Sequence, residues 1–316
     1  MEKTYKGHLA MLSANVIWGL TAPIGKTAME GGVTALSLTT FRMVGAAVAF
    51  WLLSLFVRRE AVRHEDMIKL FFAALFGVVL NQGTFIFGLS LTSPIDASIV
   101  TTMTPIVTMI VAALYLREPI TGTKVLGIFV GAMGALLLIL GSRSLSASGQ
   151  GGNLWGDLLC LTAQISFAVY LTVFRDLVTR YSPVTVMKWM FVYASMCYIP
   201  FTYRDVTALD WSSFSARTLW CVSFVVLGAT FVAYLCVMVG QRRLRPTLVS
   251  MYNYVQPVVA STVTVVLGMD TFGVTKGAAV LLVFAGVWLV TRSKSRAQLE
   301  AEEAARTAGG ADETGK

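Results

Sequence analysis

Charge is scarce in this 316-residue sequence: Asp, Glu, Lys and Arg together make up 13% of it, where a soluble domain averages about 25%. Apolar residues reach 56% and mean hydropathy is +0.70. A soluble fold of this size has no interior for so much apolar surface, and its exterior needs charge for solvation. The excess must face lipid. Histidine is almost missing. His8 and His64 are the only two, both at helix ends or in loops, which leaves no histidine proton relay or metal centre within a membrane. Cys160, Cys197, Cys221 and Cys236 lie inside apolar runs without C-x2-C spacing, so they read as small buried side chains and not as a zinc site. Paired carboxylates, a Ser-His arrangement and a phosphate-cradling glycine loop are also absent, which argues against an enzyme and against ATP-driven pumping by this chain. No cofactor and no metal is expected. The formal charge of +8 would suggest a nucleic-acid binder in a soluble chain. Here the basic residues sit between hydrophobic runs and at their ends, so nucleic acid is not an expected partner.

What the sequence has in abundance is long apolar runs. A bilayer core about 30 Å thick needs roughly 20 residues of helix. Runs of that order occur at Gly7 to Lys26, Thr34 to Val57, Leu70 to Leu89, Ala97 to Leu116 and Val125 to Gly141. Five more follow at Leu154 to Phe174, Val184 to Tyr203, Thr218 to Gly240, Leu248 to Gly268 and Phe272 to Thr291. Lys3 and Lys6 precede the first run as in a signal peptide, but Asn15 and Trp18 interrupt it and no small-x-small cleavage site follows, so it reads as a retained helix. Residues 293–316 form a polar tail, expected to fray into disorder.

Loop charge sets the expected orientation. Lys3, Lys6, Arg58, Arg59, Arg63 and the arginines at 242, 243 and 245 fall on the amino-terminal side. The opposite side carries only Lys26, Arg143, Arg204, Arg217 and Lys276. The positive-inside rule then makes both termini cytoplasmic, in a multi-pass protein of the plasma (inner) membrane.

The chain also repeats itself. A shift of 152 residues brings Gly88 onto Gly240, Pro94 onto Pro246, Ser98 onto Ser250, Pro105 onto Pro257 and Gly134 onto Gly286. Upstream, the same shift lays Trp18 on Tyr170, and a one-residue slip brings Gly32-Val33-Thr34 onto Pro183-Val184-Thr185. Five crossings per repeat is an odd number, so the second copy enters the membrane upside down. The fold expected is an all-α membrane protein of ten transmembrane helices in two inverted five-helix repeats, residues 7–141 and 154–292. Such repeats place a binding site near the midplane at their interface.

The stretch FGLSLTSPIDASIVTTMTPIVTMIVAALYLREPITGTKVLGIFVGAMGALLLI, with ANVIWGLTAPIGK near the amino terminus and GDLLCLTAQISFAVY at the start of the second half, resembles EamA-type carriers of the drug/metabolite transporter superfamily. The resemblance spans about Leu9 to Arg292. It implies a ten-helix fold and export or exchange of small metabolites, often amino acids or related compounds. The first half carries the family's Glu-Pro pair as Glu118-Pro119, whereas the second copy reads Asp270-Thr271. Small four-helix multidrug members couple protons through a first-helix glutamate. No carboxylate stands between Gly7 and Lys26, so that mechanism does not carry over.

Polar residues within the runs mark the candidate site. Pro105 and Pro257 each fall eleven residues after a helix-opening proline, about 17 Å into the helix, where a proline frees a carbonyl and permits a gating bend. Around Pro105, residues Thr101 and Thr104 share a face, and a 152-residue shift replaces them with Asn253 and Gln256. Such a face should meet protein or water, either as a substrate cavity or as interhelical hydrogen bonding. Asn81 and Gln82 lie at similar depth, with Tyr234 matching Gln82, and Trp18 and Tyr170 offer amphipathic rings near the middle. Arg42 lies about 12 Å from the outer end of its helix, too deep to snorkel easily. It either orients a substrate carboxylate or braces a helix interface. Lys188 is near a helix end and can snorkel. Ser93-Pro94-Ile95-Asp96 and Asn153 with Asp157 read as helix caps, and Gly127 and Gly131 as a close-packing step.

The function expected is a secondary carrier of small metabolites working by alternating access, with a small-molecule substrate and the bilayer as its partners. Oligomeric state is left open. A non-transporting sensor or scaffold would more often append a soluble domain, and a membrane-embedded enzyme would need convergent acid, base or metal ligands.

Overall fold

The structure, a computed structural model, describes residues 2–91, 94–141, 154–266 and 273–294. The Ser93 cap, Arg143, Asn153, Asp270-Thr271 and the tail beyond Lys294 lie outside the described residues. Among those described, all regular structure is helical, in ten long stretches. In the first half these are α1 (Glu2–Glu30), α2 (Ala35–Ser54), α3 (64–91), α4 (94–116) and α5 (Gly122–Gly141). In the second half they are α6 (Leu154–Val173), α7 (Pro183–Thr207), α8 (216–241), α9 (246–266) and α10 (Val274–Arg292). Eight of them are long and apolar enough to cross a membrane. The two that fall short carry polar side chains in mid-helix: Asn15 and Thr21 in α1, and Asn253 and Gln256 in α9.

Local chemistry explains the helix starts. Thr34 caps α2 by accepting from the Ser37 N–H at 3.1 Å, and Ser182 caps α7 by accepting from Thr185 N–H at 3.3 Å, with Pro183 in the first turn. Four helices are interrupted, in matching places. α3 loosens into a π-helical segment at Leu75–Leu80, and α8 does so at Phe224–Val232. α4 breaks at residues 102–103, and α9 tightens to a 3-10 turn at Tyr252–Tyr254. Each of the latter breaks stands just before Pro105 or Pro257. A proline lacks the N–H and crowds the carbonyl four residues back, so the helix restarts where that N–H is not needed.

Packing follows one rule. The most extensive contacts are α5 with α10, α3 with α6, α1 with α8, α2 with α7, α4 with α6, α1 with α9, α2 with α8, α3 with α7 and α4 with α9. Exchanging each helix of the first half for its counterpart in the second turns this set into itself. Residues 152 apart meet across it: Gln82 donates to Tyr234 Oη at 3.3 Å, and Tyr254 Oη donates to the Thr102 carbonyl at 3.0 Å. The α5–α10 crossing shows the relative direction. A Cβ at Gly134 would meet the Ala279 carbonyl, and one at Gly286 would meet the Gly127 carbonyl, so the two helices run antiparallel with backbone against backbone. The Gly127 and Gly131 step thus packs helices closely, as the sequence suggests.

In the upstream helices the register differs from the 152-residue shift. A Cβ at Gly88 would meet Gly156 and Cys160, and one at Gly240 would meet Gly7 and Met11. Gly7 and Met11 therefore correspond to Gly156 and Cys160, a spacing of 149, and Trp18 corresponds to Phe167 rather than to Tyr170. The missing three residues lie in the connections, which the uniform shift could not see.

The core runs between the halves through Met11, Phe50, Leu70, Tyr170, Met187, Phe191 and Tyr254. Outside, large apolar side chains such as Leu52, Phe129, Met133 and Leu281 are exposed, Leu281 to 72%. Water would not tolerate that perimeter, whereas lipid does. Lys188 lays its ammonium over the Trp51 ring at 4.7 Å.

Candidate functional site

A π-helical turn leaves backbone carbonyls without their usual helical partners, and within a membrane these must be satisfied by neighbours. Side chains from other helices do so here. Trp18 Nε1 donates to the Ala229 carbonyl at 2.9 Å, Tyr198 Oη to Val79 at 3.2 Å and Ser166 Oγ to Phe76 at 2.7 Å. The Thr230 hydroxyl donates back to Val225, five residues earlier, at 2.9 Å. The two π segments thus draw polar groups of α1, α6 and α7 toward α3 and α8.

Arg42 of α2 reaches into this region. Its Nε donates to Thr230 Oγ1 at 2.9 Å and its Nη1 to Gln82 Oε1 at 3.1 Å. The Gln82 amide nitrogen then donates to Tyr234 Oη at 3.3 Å and to Asn81 Oδ1 at 3.4 Å, and Asn81 donates to the Ala163 carbonyl at 3.0 Å. Tyr234 reaches the guanidinium through Gln82, and Tyr198 lies within electrostatic range of it. Trp18 packs edge-on against Tyr234, with ring centroids 5.6 Å apart, and Phe191 does so at 5.2 Å. Five of the sequence-predicted residues, Trp18, Arg42, Asn81, Gln82 and Tyr234, therefore form one continuous cluster. Thr230 and Tyr198 belong to it as well. Sequence reasoning passed over both, because a lone Thr or Tyr in an apolar run carries no signal until its partner helix is known.

The other predicted residues lie apart from the cluster. Thr104 is buried and donates to Gln164 Oε1 of α6 at 2.7 Å, while Gln256 donates to Asn15 Oδ1 of α1 at 2.9 Å. These pairs correspond under exchange of the halves, since Thr104 matches Gln256 and Asn15 matches Gln164. They are the interhelical hydrogen bonds weighed above as the alternative to cavity lining. Asn15 and Gln164 were legible as amides in mid-run, yet only the pairing gives them a role. Thr101 bonds its own helix at Ala97. The Asn253 side chain is nearly buried and makes no hydrogen bond to a described residue. Tyr170 is buried against Gly77 and donates to Gln241 at 3.1 Å, a packing position. Pro105 and Pro257 follow the breaks in α4 and α9.

A second set of polar contacts ties the halves at the end that carries the amino terminus. Asp66, buried in the first turn of α3, accepts from Tyr181 Oη at 2.7 Å, Arg180 Nη1 at 2.9 Å and Lys69 Nζ at 3.3 Å. The hydrogen bond to Asp66 raises the pKa of Arg180 above its ordinary value. Glu60 accepts from the Ser182 N–H at 2.8 Å. Burial alone would raise its carboxyl, but that bond, the Ser182 and Thr185 hydroxyls and nearby Arg242 hold it below the ordinary value. Glu118 pairs with buried Lys124 at 3.0 Å and accepts from Thr247 of α9 at 3.1 Å. Among the described residues no group of three or more His, Cys, Asp or Glu side chains is placed to hold a metal ion.

The sequence model of the EamA-like transporter family matches this chain twice, over residues 5–140 and 154–292. An uncharacterized transporter of Archaeoglobus fulgidus is 24% identical over 88% of this chain and 95% of its own. The uncharacterized transporter YyaM of Bacillus subtilis is 22% identical over 83% and 86%. A WAT1-related protein of Arabidopsis thaliana is 23% identical over 92% and 86%. Among solved structures, one protein of known crystal structure superposes with a TM-score of 0.74 at 17% identity, covering 92% of this chain and 96% of the other. That likeness speaks for the fold alone.

Proposed function

This chain belongs to the EamA-like transporter family and is a multi-pass membrane transporter, and from that premise we propose that it is a secondary carrier of small metabolites, amino acids or related compounds, working by alternating access in the direction of export. The observation that carries the reading is the exchange symmetry of the packing. Two homologous halves meet along an interface where residues 152 apart touch, and a polar cluster sits on that interface beside the π segments of α3 and α8.

Ten spans, inverted between residues 7–141 and 154–292, fit this packing. The antiparallel crossing of α5 and α10 is what an axis in the membrane plane would produce for equivalent helices. Trp18, Arg42, Asn81, Gln82 and Tyr234 form the substrate pocket, with Thr101 and Asn253 on its approach. Thr104 and Gln256 serve as braces, and the breaks before Pro105 and Pro257 supply the bends for gating. The Asp66 and Glu118 ties close the amino-terminal end, which positive loop charge assigns to the cytoplasm of a plasma-membrane protein. The chain has no enzymatic role in this reading.

The test has two parts. Metabolites are compared between cells overexpressing and lacking the protein, and compounds that differ are loaded into liposomes holding purified protein. Saturable counterflow of such a compound is expected; its absence for every compound refutes the carrier reading. Cysteine labelling at Arg59 from the cytoplasm only, and at Asp210 from outside only, is expected, and the reverse overturns the orientation.

A further inference from the structure

Arg42 is, among the described residues, a charge with no counter-charge. Among the described residues no carboxylate lies within ion-pair distance of it, and its hydrogen bonds go to two neutral acceptors, Thr230 Oγ1 and Gln82 Oε1. These bonds use Nε and Nη1. The third nitrogen, Nη2, makes no hydrogen bond to a described residue, and Arg42 as a whole is half-buried. An arginine facing hydrocarbon in mid-span is costly, and such residues turn to a protein interior or a water-filled cavity. Here the neighbours are Tyr198, Tyr234, Gln82 and Thr230, the polar side of the interface between the halves.

The rest of the cluster is uncharged. Asn81, Gln82, Thr230 and the Trp18, Tyr198 and Tyr234 rings offer hydrogen bonds and aromatic surface, but no anion that could receive an ammonium group. The guanidinium fork is already oriented by two bonds, so its free edge is fixed in direction. A fixed, half-used guanidinium is well suited to a carboxylate, because charge-assisted N–H to carboxylate bonds are about twice as strong as neutral ones.

We propose that the open edge of Arg42 receives the carboxylate of the transported molecule, and that among amino acids and related compounds the carrier therefore favours the related monoanionic acids that lack the amine over neutral, zwitterionic and cationic analogues. The inference rests on reading the chain as a carrier with its pocket at this cluster. Its acid body packs against Trp18 and Tyr198. An α-ammonium group would be desolvated without a partner, so a free amino acid binds less well than the acid of the same skeleton lacking the amine.

The test uses full-length protein in detergent and in liposomes, with 3-phenylpropionate, 3-phenylpropanamide and phenylalanine as probes that share one body. Binding is read by thermal shift and by tryptophan fluorescence. The carboxylate is expected to bind wild-type protein roughly tenfold to hundredfold more tightly than the amide, with phenylalanine weaker than the carboxylate. Arg42→Gln should bring the carboxylate down to the level of the amide, and Arg42→Lys should restore part of the difference. Equal binding of carboxylate and amide by the wild type overturns the proposal, and that comparison needs no variant. So does failure of the carboxylate to bind, undiminished carboxylate binding by Arg42→Gln, or equal protection by chloride at the same concentration. Arg42-dependent binding without movement into liposomes keeps the site and refutes the carrier. Transport of the carboxylate unaffected by Arg42→Gln does the reverse.

Discussion

If the Asp66 tie holds the amino-terminal end closed, weakening it should open that end by an amount the structure sets. Asp66 belongs to α3 in the first half, whereas Arg180 and Tyr181 belong to the connection before α7 in the second. Asp66→Asn keeps the shape and leaves an oxygen that can still accept from Tyr181 and Arg180. What goes is the charge. The Asp66 side chain is 2% exposed, but Arg180 is 48% exposed and Lys69 57%, so solvent screens both partners and the ionic part is small. That amounts to a modest shift toward the form open at this end. Asp66→Ala goes further. It leaves the Tyr181 hydroxyl, buried in a side chain 5% exposed, without its acceptor, at an added cost of about 1–3 kcal/mol. The combined shift is then roughly fivefold or more. Electron spin distance measurements between labels at Arg59 and Arg243, in a background with Cys160, Cys197, Cys221 and Cys236 replaced, read that population in liposomes. The long-distance component should grow from wild type through Asp66→Asn to Asp66→Ala. An unchanged distribution in Asp66→Ala, with the protein folded, would refute the assignment of this contact as a gate.

The braces give a contrasting expectation. Gln256→Ala and Thr104→Val each remove one interhelical hydrogen bond, so each should lower thermal stability by about 0.5–1.5 kcal/mol and leave probe affinity within twofold; a tenfold affinity change would place them in the pocket. Gly286→Leu drives a side chain into the backbone of Gly127 and Gly131, and destabilisation of about 1–3 kcal/mol in a thermal unfolding assay is expected, against no measurable change for lipid-facing Leu281→Ala. Tyr234→Phe removes the acceptor for Gln82 and loosens the orientation of Arg42, so it should weaken carboxylate binding more than amide binding; equal weakening would assign Tyr234 to packing alone.

Much of the fold was legible because the membrane restricts the choices. A chain this apolar must be helical, and its runs must end where polar or turn-forming residues stand. The downstream repeat was legible too, since Pro94, Pro105 and Gly134 recur at one spacing, and positions at that spacing do meet, as Gln82 meets Tyr234 and Thr102 meets Tyr254. The upstream repeat was harder. Its small residues Gly7 and Gly156 are matched by the space they leave for α8 and α3, not by identity along their runs, so a uniform shift misassigned Trp18.

The site divides along the same line. A residue whose type is rare in hydrocarbon announces itself, and Arg42, Asn81 and Gln82, which the structure joins in one cluster, stand out on that basis. A residue whose importance lies in its partner does not, and Thr230 and Tyr198 were missed. Thr104 and Gln256 fall between the two. Their polarity at mid-depth showed that something must satisfy them, but a helix face cannot say whether that is a ligand or another helix. The structure supplies Gln164 and Asn15, one for each half, as the partners. Once those bonds are counted, the cluster has one charged donor edge left over, and it belongs to Arg42. A charge in mid-span needs a partner more than any neutral group does, so the charged edge left open marks where the pocket is expected to take its ligand.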